Sequence, residues 1–262
     1  MTAIRVVAVR YATRAASKST FFLRYHSYGE PDAPQSLDYY FWVVGEGPDA
    51  LVVDTGFHVA AGARRGRTCL CPPLEALARL GVDPASVSRL LLTHFHYDHV
   101  GNVDAFPAAE LLVPERELRF WTGPMASRAQ FAEVVEPAEI ARIAEAHRAG
   151  RARTMGARTD VAPGVTAIDV GGHSPGQQVV VVETDRGPVV LASDAVHLYE
   201  EFERDRPFEI VADLADMYRA YDVIRELCRQ PGAVMVPGHD PEVMRRFPPV
   251  DGPAGEIAVR IA

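Results

Sequence analysis

The sequence lacks features that define several classes of protein. It has no apolar run of about 18 residues or more, so we expect no segment that crosses a membrane. The formal net charge is −8. Because nucleic-acid surfaces need clustered Lys and Arg, we expect no nucleic-acid partner. No internal repeat or low-complexity segment interrupts the chain, which excludes a solenoid or a disordered protein.

Cysteine is also scarce. The three residues Cys69, Cys71 and Cys228 are too few for a disulfide framework, and no pair of CxxC motifs forms a four-cysteine zinc site. The first 29 residues are basic and contain no acid, yet they lack the apolar stretch of a secretory signal. A transit peptide would share that composition, but residues 4–9 resemble a strand. We therefore expect reduced thiols and a mature cytoplasmic N-terminus.

The composition is that of a globular protein, with 262 residues, 48% hydrophobic and 24% charged. Apolar patterning predicts strands at 4–9, 37–44, 50–54, 87–93, 165–170, 178–184, 188–192 and 233–236, and helices at 72–80 and 214–228. Residues 115–151 are predicted to be helical with a break at Gly123-Pro124, and to cap a site. Strands grouped in runs, with helices between and beside them, predict an α+β fold with two sheets inside outer helices. No linker divides residues 1–262, so we predict a single domain.

The most informative segment is Thr93-His94-Phe95-His96-Tyr97-Asp98-His99, which directly follows a predicted strand and opens a predicted helix. His94 and His96 lie two residues apart and can converge on one point. Asp98 and His99 lie in the next turn and can face a second point. Imidazole and carboxylate are preferred ligands of zinc, so the segment predicts a metal site.

Three further candidate ligands also lie where a predicted strand meets a loop. His173 is in Gly171-Gly172-His173-Ser174-Pro175-Gly176, Asp194 follows Leu191-Ala192-Ser193, and His239 is in Pro237-Gly238-His239-Asp240. Glycine and proline allow the tight turns that such positions require. Each signal is weak alone, but together with the first cluster they indicate one metal centre.

This set of residues resembles the metal signature of the metallo-β-lactamase superfamily, and the Asp54-Thr55-Gly56 turn matches it too. The resemblance runs from about residue 39 to residue 240. It implies a four-layer αββα sandwich with two metal ions, expected to be zinc although other divalent metals are conceivable. The implied ligands are His94, His96 and His173 for one ion, Asp98, His99 and His239 for the other, and Asp194 between them.

Such a site implies hydrolysis by a metal-bridging hydroxide, with Asp98 as the catalytic proton carrier. The pattern is most similar to N-acyl-homoserine-lactone lactonases, which act in quorum quenching, and to 4-pyridoxolactonase. The matching segments include Asp38-Tyr39-Tyr40-Phe41-Trp42-Val43 and His173-Ser174-Pro175-Gly176-Gln177-Gln178. The chain shows neither the C-terminal helical domain of glyoxalase II relatives nor the inserted domain of long ribonuclease members. The resemblance thus predicts a small-molecule lactone substrate.

The sequence departs from the lactonase pattern at one position. Lactonases of this branch place a tyrosine three residues after the bridging aspartate, where it touches the substrate carbonyl oxygen. Here that residue is His197, with Tyr199 two residues later. A neutral His197 would donate the same hydrogen bond, and Tyr199 is the alternative. We also expect Tyr97 and Phe57 to contact substrate.

Several questions stay open at this level. The scissile bond would be a lactone ester or, on the same fold, a cyclic amide, a thioester or a phosphodiester. A metal-binding protein without catalysis is a third alternative. The aromatic residues 39–42 would line a pocket or fill the core. The basic loop with Arg64, Arg65 and Arg67 would be solvated, contact an anionic substrate or contact a second subunit. A homodimer is compatible with the sequence.

Overall fold

Two β-sheets stacked face to face form the centre of the molecule. The computed structural model describes residues 4–262. The strands are β1 (Val6–Ser17), β2 (Pro34–Val44), β3 (Leu51–Val53), β4 (Thr68–Cys69), β5 (Arg89–Leu91), β6 (Glu110–Pro114), β7 (Ala152–Met155), β8 (Arg158–Ala162), β9 (Val165–Asp169), β10 (Gln178–Val182), β11 (Val189–Ser193), β12 (Val234–Pro237) and β13 (Ala258–Arg260). The first sheet has the order β13-β1-β2-β3-β5-β6-β7, with β4 also paired to β1, and the second has the order β12-β11-β10-β9-β8.

Helices cover the outer faces and the connections. They are α1 (Lys18–Phe21), α2 (Val59–Arg64), α3 (Pro73–Arg79), α4 (Tyr97–Val100), α5 (Glu115–Trp121), α6 (Ala129–Ala132), α7 (Pro137–Arg148), α8 (Tyr199–Glu203), α9 (Leu214–Leu227) and α10 (Val243–Arg246). Short 3₁₀ turns lie at Tyr25–Tyr28, Gly47–Asp49, Pro84–Ser86, Val103–Ala105 and Pro124–Ser127. Within residues 4–262, no helix combines the length and apolarity needed to cross a membrane.

Three separate groups of buried apolar side chains define four layers. In β3, Val52 packs with the helices outside the first sheet, whereas Leu51 and Val53 face the second sheet. In β10, Val180 faces the first sheet and Val179 packs against α9. Alternate residues of a strand point to opposite faces, so one strand serves two cores. The predicted αββα sandwich is therefore confirmed.

The sequence prediction was incomplete where strands carry polar residues. It ended the first strand at residue 9, but β1 continues to Ser17 through the register shift between Arg10 and Ala12. It also omitted β4, β6, β7, β8 and β13. Strands β4, β7, β8 and β13 are short or carry polar residues, so apolar patterning does not reveal them, whereas the apolar run of β6 was overlooked. The predicted helices at 72–80 and 214–228 correspond to α3 and α9.

Strand direction gathers the candidate ligands at one edge of the sandwich. Strands β3 and β5 run parallel, as do β11 and β12. Asp54 and His94 follow the first pair, and Asp194 and His239 follow the second. Because the carboxyl ends of parallel strands meet at the same edge, residues distant in sequence come together there.

Candidate metal centre

A network of hydrogen bonds holds the loop that carries the first histidines. Asp54 is in the left-handed region (φ 61°) and is completely buried. Its carboxylate accepts hydrogen bonds from the Thr93 backbone N–H at 2.8 Å and from the Thr93 hydroxyl at 2.7 Å. It also lies 2.8 Å from His99 Nδ1. The Asp54 turn thus fixes both ends of residues 93–99, and its strained backbone is typical of a functional site.

The seven predicted ligands converge in the structure as two triads around one carboxylate. The ligand atoms of His94, His96 and His173 lie within 4.8 Å of one another, and so do those of Asp98, His99 and His239. These triads are the two sets that the resemblance implied.

Asp194 lies between the triads. Its Oδ2 is 3.4 Å from His173 Nε2 and 3.2 Å from His239 Nε2, and its Oδ1 is 3.3 Å from His99 Nε2. The preceding Ser193 has a positive φ of 46°, which turns the chain sharply at the end of β11. Gly238 permits the close approach, since a Cβ there would be 2.7 Å from Asp194 Oδ1. The carboxylate therefore contacts both triads, as a bridging ligand would.

Unpaired polar atoms show that this set of donors fits metal ions. His94 Nε2, His99 Nε2 and Asp194 Oδ1 are buried and make no well-aligned hydrogen bond to the described residues, although His99 Nε2 and Asp194 Oδ1 lie 3.3 Å apart. Buried polar atoms are normally paired, so convergent unpaired ones indicate a missing ligand. Two ions bound by imidazole and carboxylate would satisfy these atoms.

The protonation of the histidines is also compatible with metal binding, which needs neutral imidazole. Burial and neighbouring imidazoles lower the pKa of His94 and His173, and burial lowers that of His96 to about 3. His99 differs: although burial acts against it, the carboxylates of Asp194 and Asp54 raise its pKa. A metal ion would displace that proton.

His173 and His239 are each oriented through Nδ1, the ring nitrogen that does not face the site. His173 Nδ1 lies 2.8 Å from the Ile210 carbonyl oxygen, and His239 Nδ1 lies 2.8 Å from the Asp38 carbonyl oxygen. Such contacts fix the tautomer and direct Nε2 towards the site. Sequence reasoning missed these supporting residues because they are remote in sequence and act through backbone atoms.

Glu117 also supports the site, and the sequence did not indicate it. This fully buried carboxylate accepts four hydrogen bonds. Its Oε2 accepts from the Phe95 N–H (2.9 Å) and Trp121 Nε1 (2.7 Å), and its Oε1 accepts from the Ser174 hydroxyl (2.6 Å) and the Gly176 N–H (2.6 Å). Burial raises its pKa, and the four donors oppose that rise. Glu117 thereby joins the His94–His96 loop to the His173 loop.

His197 reaches the site, and each of its ring nitrogens faces a carboxylate. Its Nε2 lies 3.3 Å from Asp194 Oδ2 and its ring stacks on Phe208 at 3.6 Å. Its Nδ1 faces the Glu201 carboxylate at 3.2 Å. A neutral ring donating to Glu201 would present a lone pair, not a proton, at Nε2. Burial lowers the pKa of His197, but Glu201 and Asp194 together raise it to about 9.

Two residues expected to contact substrate lie away from the site. Tyr199 begins α8, so its side chain turns into the core between the sheets, where Arg246 lies 3.5 Å from its ring centroid. Phe57 is completely buried and packs against Tyr11 and behind the ring of Tyr97. The expectation that Tyr199 and Phe57 contact substrate is therefore corrected, because both rings pack in the interior of the protein.

A cleft opens above the ligands. Its lining includes the expected Tyr97 and His197 together with Arg14, Leu37, Tyr39, Arg67, Val134, Phe208 and Ile210. Of the aromatic run 39–42, Tyr39 borders the cleft, whereas the other three rings are buried in the cores. Val134, from the segment predicted to cap the site, reaches the cleft wall.

A family model described as the Metallo-beta-lactamase superfamily matches residues 37–239. The chain belongs to this superfamily. An N-acyl homoserine lactonase of a Bacillus species is 29% identical over 136 residues, or 52% of this chain and 49% of the relative. The chain thus spans about half the length of that curated relative.

Solved structures share the fold over nearly the whole chain. One is an N-acyl homoserine lactone hydrolase with N-hexanoyl-L-homoserine bound at its catalytic metal centre. It superimposes with a TM-score of 0.73 at 20% identity, covering 94% of this chain and 97% of that one. AidC, a dizinc quorum-quenching lactonase, gives 0.69 at 14% identity, covering 91% and 88%. At these identities the likeness establishes the fold, and the family model over residues 37–239 confirms the expected superfamily.

Proposed function

We propose that the protein is a dinuclear-zinc hydrolase that opens a small lactone ring, either an N-acyl homoserine lactone or a relative of it. The observation that carries the proposal is the position of Asp194, whose carboxylate contacts ligands of both triads. The lactonase relative and the two metal-containing lactonase structures of the same fold support it.

In this proposal His94, His96 and His173 hold one ion, Asp98, His99 and His239 hold the other, and Asp194 bridges them. The chemistry that two bound zinc ions supply is a water nucleophile at neutral pH and polarisation of the ester carbonyl.

Asp98 is the group proposed to accept the proton of the attacking water and return it to the leaving alcohol. Its Oδ1 lies 3.9 Å from His99 Nε2 and its Oδ2 lies 4.0 Å from His239 Nε2. Its backbone is held by the Tyr11 hydroxyl, which donates to the Asp98 carbonyl oxygen at 2.8 Å. This anchor limits the freedom of the carboxylate, as proton transfer requires.

His197 and Tyr97 are proposed to contact the substrate from opposite walls of the cleft. His197 presents Nε2 to the ligands, and Glu201 holds the other side of its ring. Donation from Nε2 to the carbonyl oxygen requires the imidazolium form, because Nδ1 donates to Glu201. Tyr97 accepts a hydrogen bond from Arg67 Nε at 2.9 Å, so its hydroxyl proton is free to donate.

The test is hydrolysis of a substrate panel by zinc-loaded protein: homoserine lactones of increasing acyl length, simple lactones, a cyclic amide, thioesters and bis-p-nitrophenyl phosphate. We expect acid release from lactones first. Asp194→Asn should remove both activity and bound zinc, whereas Asp185→Asn, in the exposed β10–β11 turn, is the matched control. Turnover of thioester or phosphodiester alone would reassign the bond, and no turnover with two zinc ions bound would favour a non-catalytic protein.

A further inference from the structure

Two arginines at the cleft lack the acidic partners that the neighbouring arginines have. Arg64 and Arg65 both form ion pairs with Glu136 at 3.0 Å. Arg67 follows in the same loop and instead lines the cleft. Neither Arg67 nor Arg14 is within 4.0 Å of a carboxylate oxygen among the ion pairs of residues 4–262.

Two hydrogen bonds hold Arg67 in place and leave part of its guanidinium without a hydrogen-bond partner among the described residues. Its Nε donates to the Tyr97 hydroxyl at 2.9 Å, and its Nη1 donates to the Arg65 carbonyl oxygen at 2.6 Å. The guanidinium lies 6.0 Å from the ring centroids of both Tyr39 and Tyr97. Nη2 makes no hydrogen bond to the described residues, so two N–H groups remain for a ligand.

Arg14 reaches the same place from strand β1. Its guanidinium lies 5.2 Å from the centroid of Phe21, and the side chain is half-buried at the cleft wall. Burial raises the pKa of Tyr39, and both Arg67 and Arg14 act in the opposite direction. Both positive charges therefore act on the same tyrosine hydroxyl beside the metal centre.

This arrangement is unfavourable unless an anion completes it. Two divalent ions held by the carboxylates of Asp98 and Asp194 would leave the centre with a positive charge. Two further cations nearby repel it and each other in a cleft of reduced dielectric constant. Asp98 acts on Arg67 electrostatically, but in the proposed centre its charge is already counted against the two ions. A negatively charged ligand between the arginines and the ions would relieve the repulsion.

We propose that Arg67 and Arg14 form a subsite for a carboxylate on the substrate, so that the preferred lactones are anionic. The inference rests on the proposed lactonase function. The proposed substrates differ from neutral acyl lactones, because two guanidinium groups would not increase the affinity for an uncharged acyl tail.

Two lactones of similar shape and different charge test whether the subsite recognises the negative charge of the substrate. One pair is γ-carboxy-γ-butyrolactone and its uncharged carboxamide, assayed with zinc-loaded protein. Charge-assisted hydrogen bonds from guanidinium are worth enough for roughly 10- to 100-fold in affinity. We expect kcat/KM to favour the carboxylate by about that factor, mainly through KM, and the preference to shrink as salt is added.

Arg67→Gln and Arg14→Gln should each reduce the preference for the carboxylate. Arg64→Gln is the matched control, because it removes the same charge at the end of α2, just before the loop, from a side chain that is 61% exposed and paired with Glu136. Equal kcat/KM for the two lactones in the wild-type protein would overturn the proposal. So would an equal loss on both lactones in Arg67→Gln.

A binding measurement tests the arginine subsite independently of the proposed lactonase activity. The opened products of the two lactones, α-hydroxyglutarate and its α-amide, differ only in the charge of the group in question. Calorimetry should show tighter binding of α-hydroxyglutarate, and Arg67→Gln should abolish that difference. If no lactone is turned over, the proposed function fails while this comparison still decides the arginine subsite. Equal binding of the two products would refute the subsite.

Discussion

Replacing Glu117 by glutamine tests whether a residue outside the metal ligands organises the centre. The carboxylate has two acceptor oxygens, each with two donors. Glutamine keeps one oxygen and directs an NH₂ group at the other pair. If it faces Phe95 N–H and Trp121 Nε1, both of these donors lose their acceptor. If it faces Ser174 and Gly176, the serine hydroxyl can turn to accept, and one N–H is orphaned.

The second orientation is favoured, and its cost follows from the single orphaned Gly176 N–H. A buried donor left without a partner costs about 1–3 kcal/mol. For a chain of this size that corresponds to a fall in Tm of roughly 2–4 °C per kcal/mol. The two loops that Glu117 joins carry His94, His96 and His173, so zinc affinity should fall roughly 10- to 100-fold, as for other groups that orient ligands.

Thermal unfolding with zinc present, together with zinc competition against a chelator, measures both effects. Glu115→Gln is the matched control, because Glu115 is exposed on the same helix. The reasoning is refuted if Glu117→Gln melts with the wild-type protein and retains its zinc affinity. A lower Tm with unchanged zinc affinity would limit Glu117 to a structural role.

Four other outcomes are expected. Asp98→Asn should lower turnover at least about 10²-fold, and wild-type turnover with full metal content would contradict its proton-transfer role. His197→Ala should lower turnover up to about 10²-fold with zinc content unchanged, and a parallel loss of zinc would identify His197 as a ligand instead. Elemental analysis should find about two zinc ions per chain, and chelation should lower Tm. Burial and Glu136 raise the pKa of Glu139 to about 7. Its folded-state pKa exceeds the unfolded value, so stability is lost as pH rises through about 4.5–7. Glu139→Gln should therefore raise Tm at pH 8 and change it little below pH 5, and an equal shift at both pH values would contradict this.

The candidate ligands were predictable because metal chemistry restricts residue type. The histidines and aspartates of 94–99 are close in sequence, and the three later ligands each follow a strand with glycine or proline nearby. The structure brings all seven together, in the two groups that the resemblance implied. Their roles as ligands, the cytoplasmic location and the homodimer stay predictions.

Contacts to the substrate were predicted less well. A residue two positions after His197 looked equivalent in sequence, but helix α8 begins there and turns Tyr199 away. Phe57 adjoins the Asp54 turn in sequence, yet its ring packs beneath Gly62, where a Cβ would come within 2.3 Å of it. Local sequence does not specify which side of a turn faces the cleft.

The sequence by itself determined the layered α+β architecture, because continuous apolar runs such as those of β10 and β11 bury both faces of a strand. It also predicted the candidate ligands, because few residue types bind zinc. Only the tertiary structure decided which groups support that set. Glu117 and the carbonyls of Asp38 and Ile210 act through hydrogen bonds between remote segments. The tertiary structure also distinguishes the arginines: Arg64 and Arg65 form ion pairs with Glu136, whereas Arg67 lines the cleft. Such pairings depend on how the two sheets and their loops pack, which is a property of the folded chain and not of any local pattern.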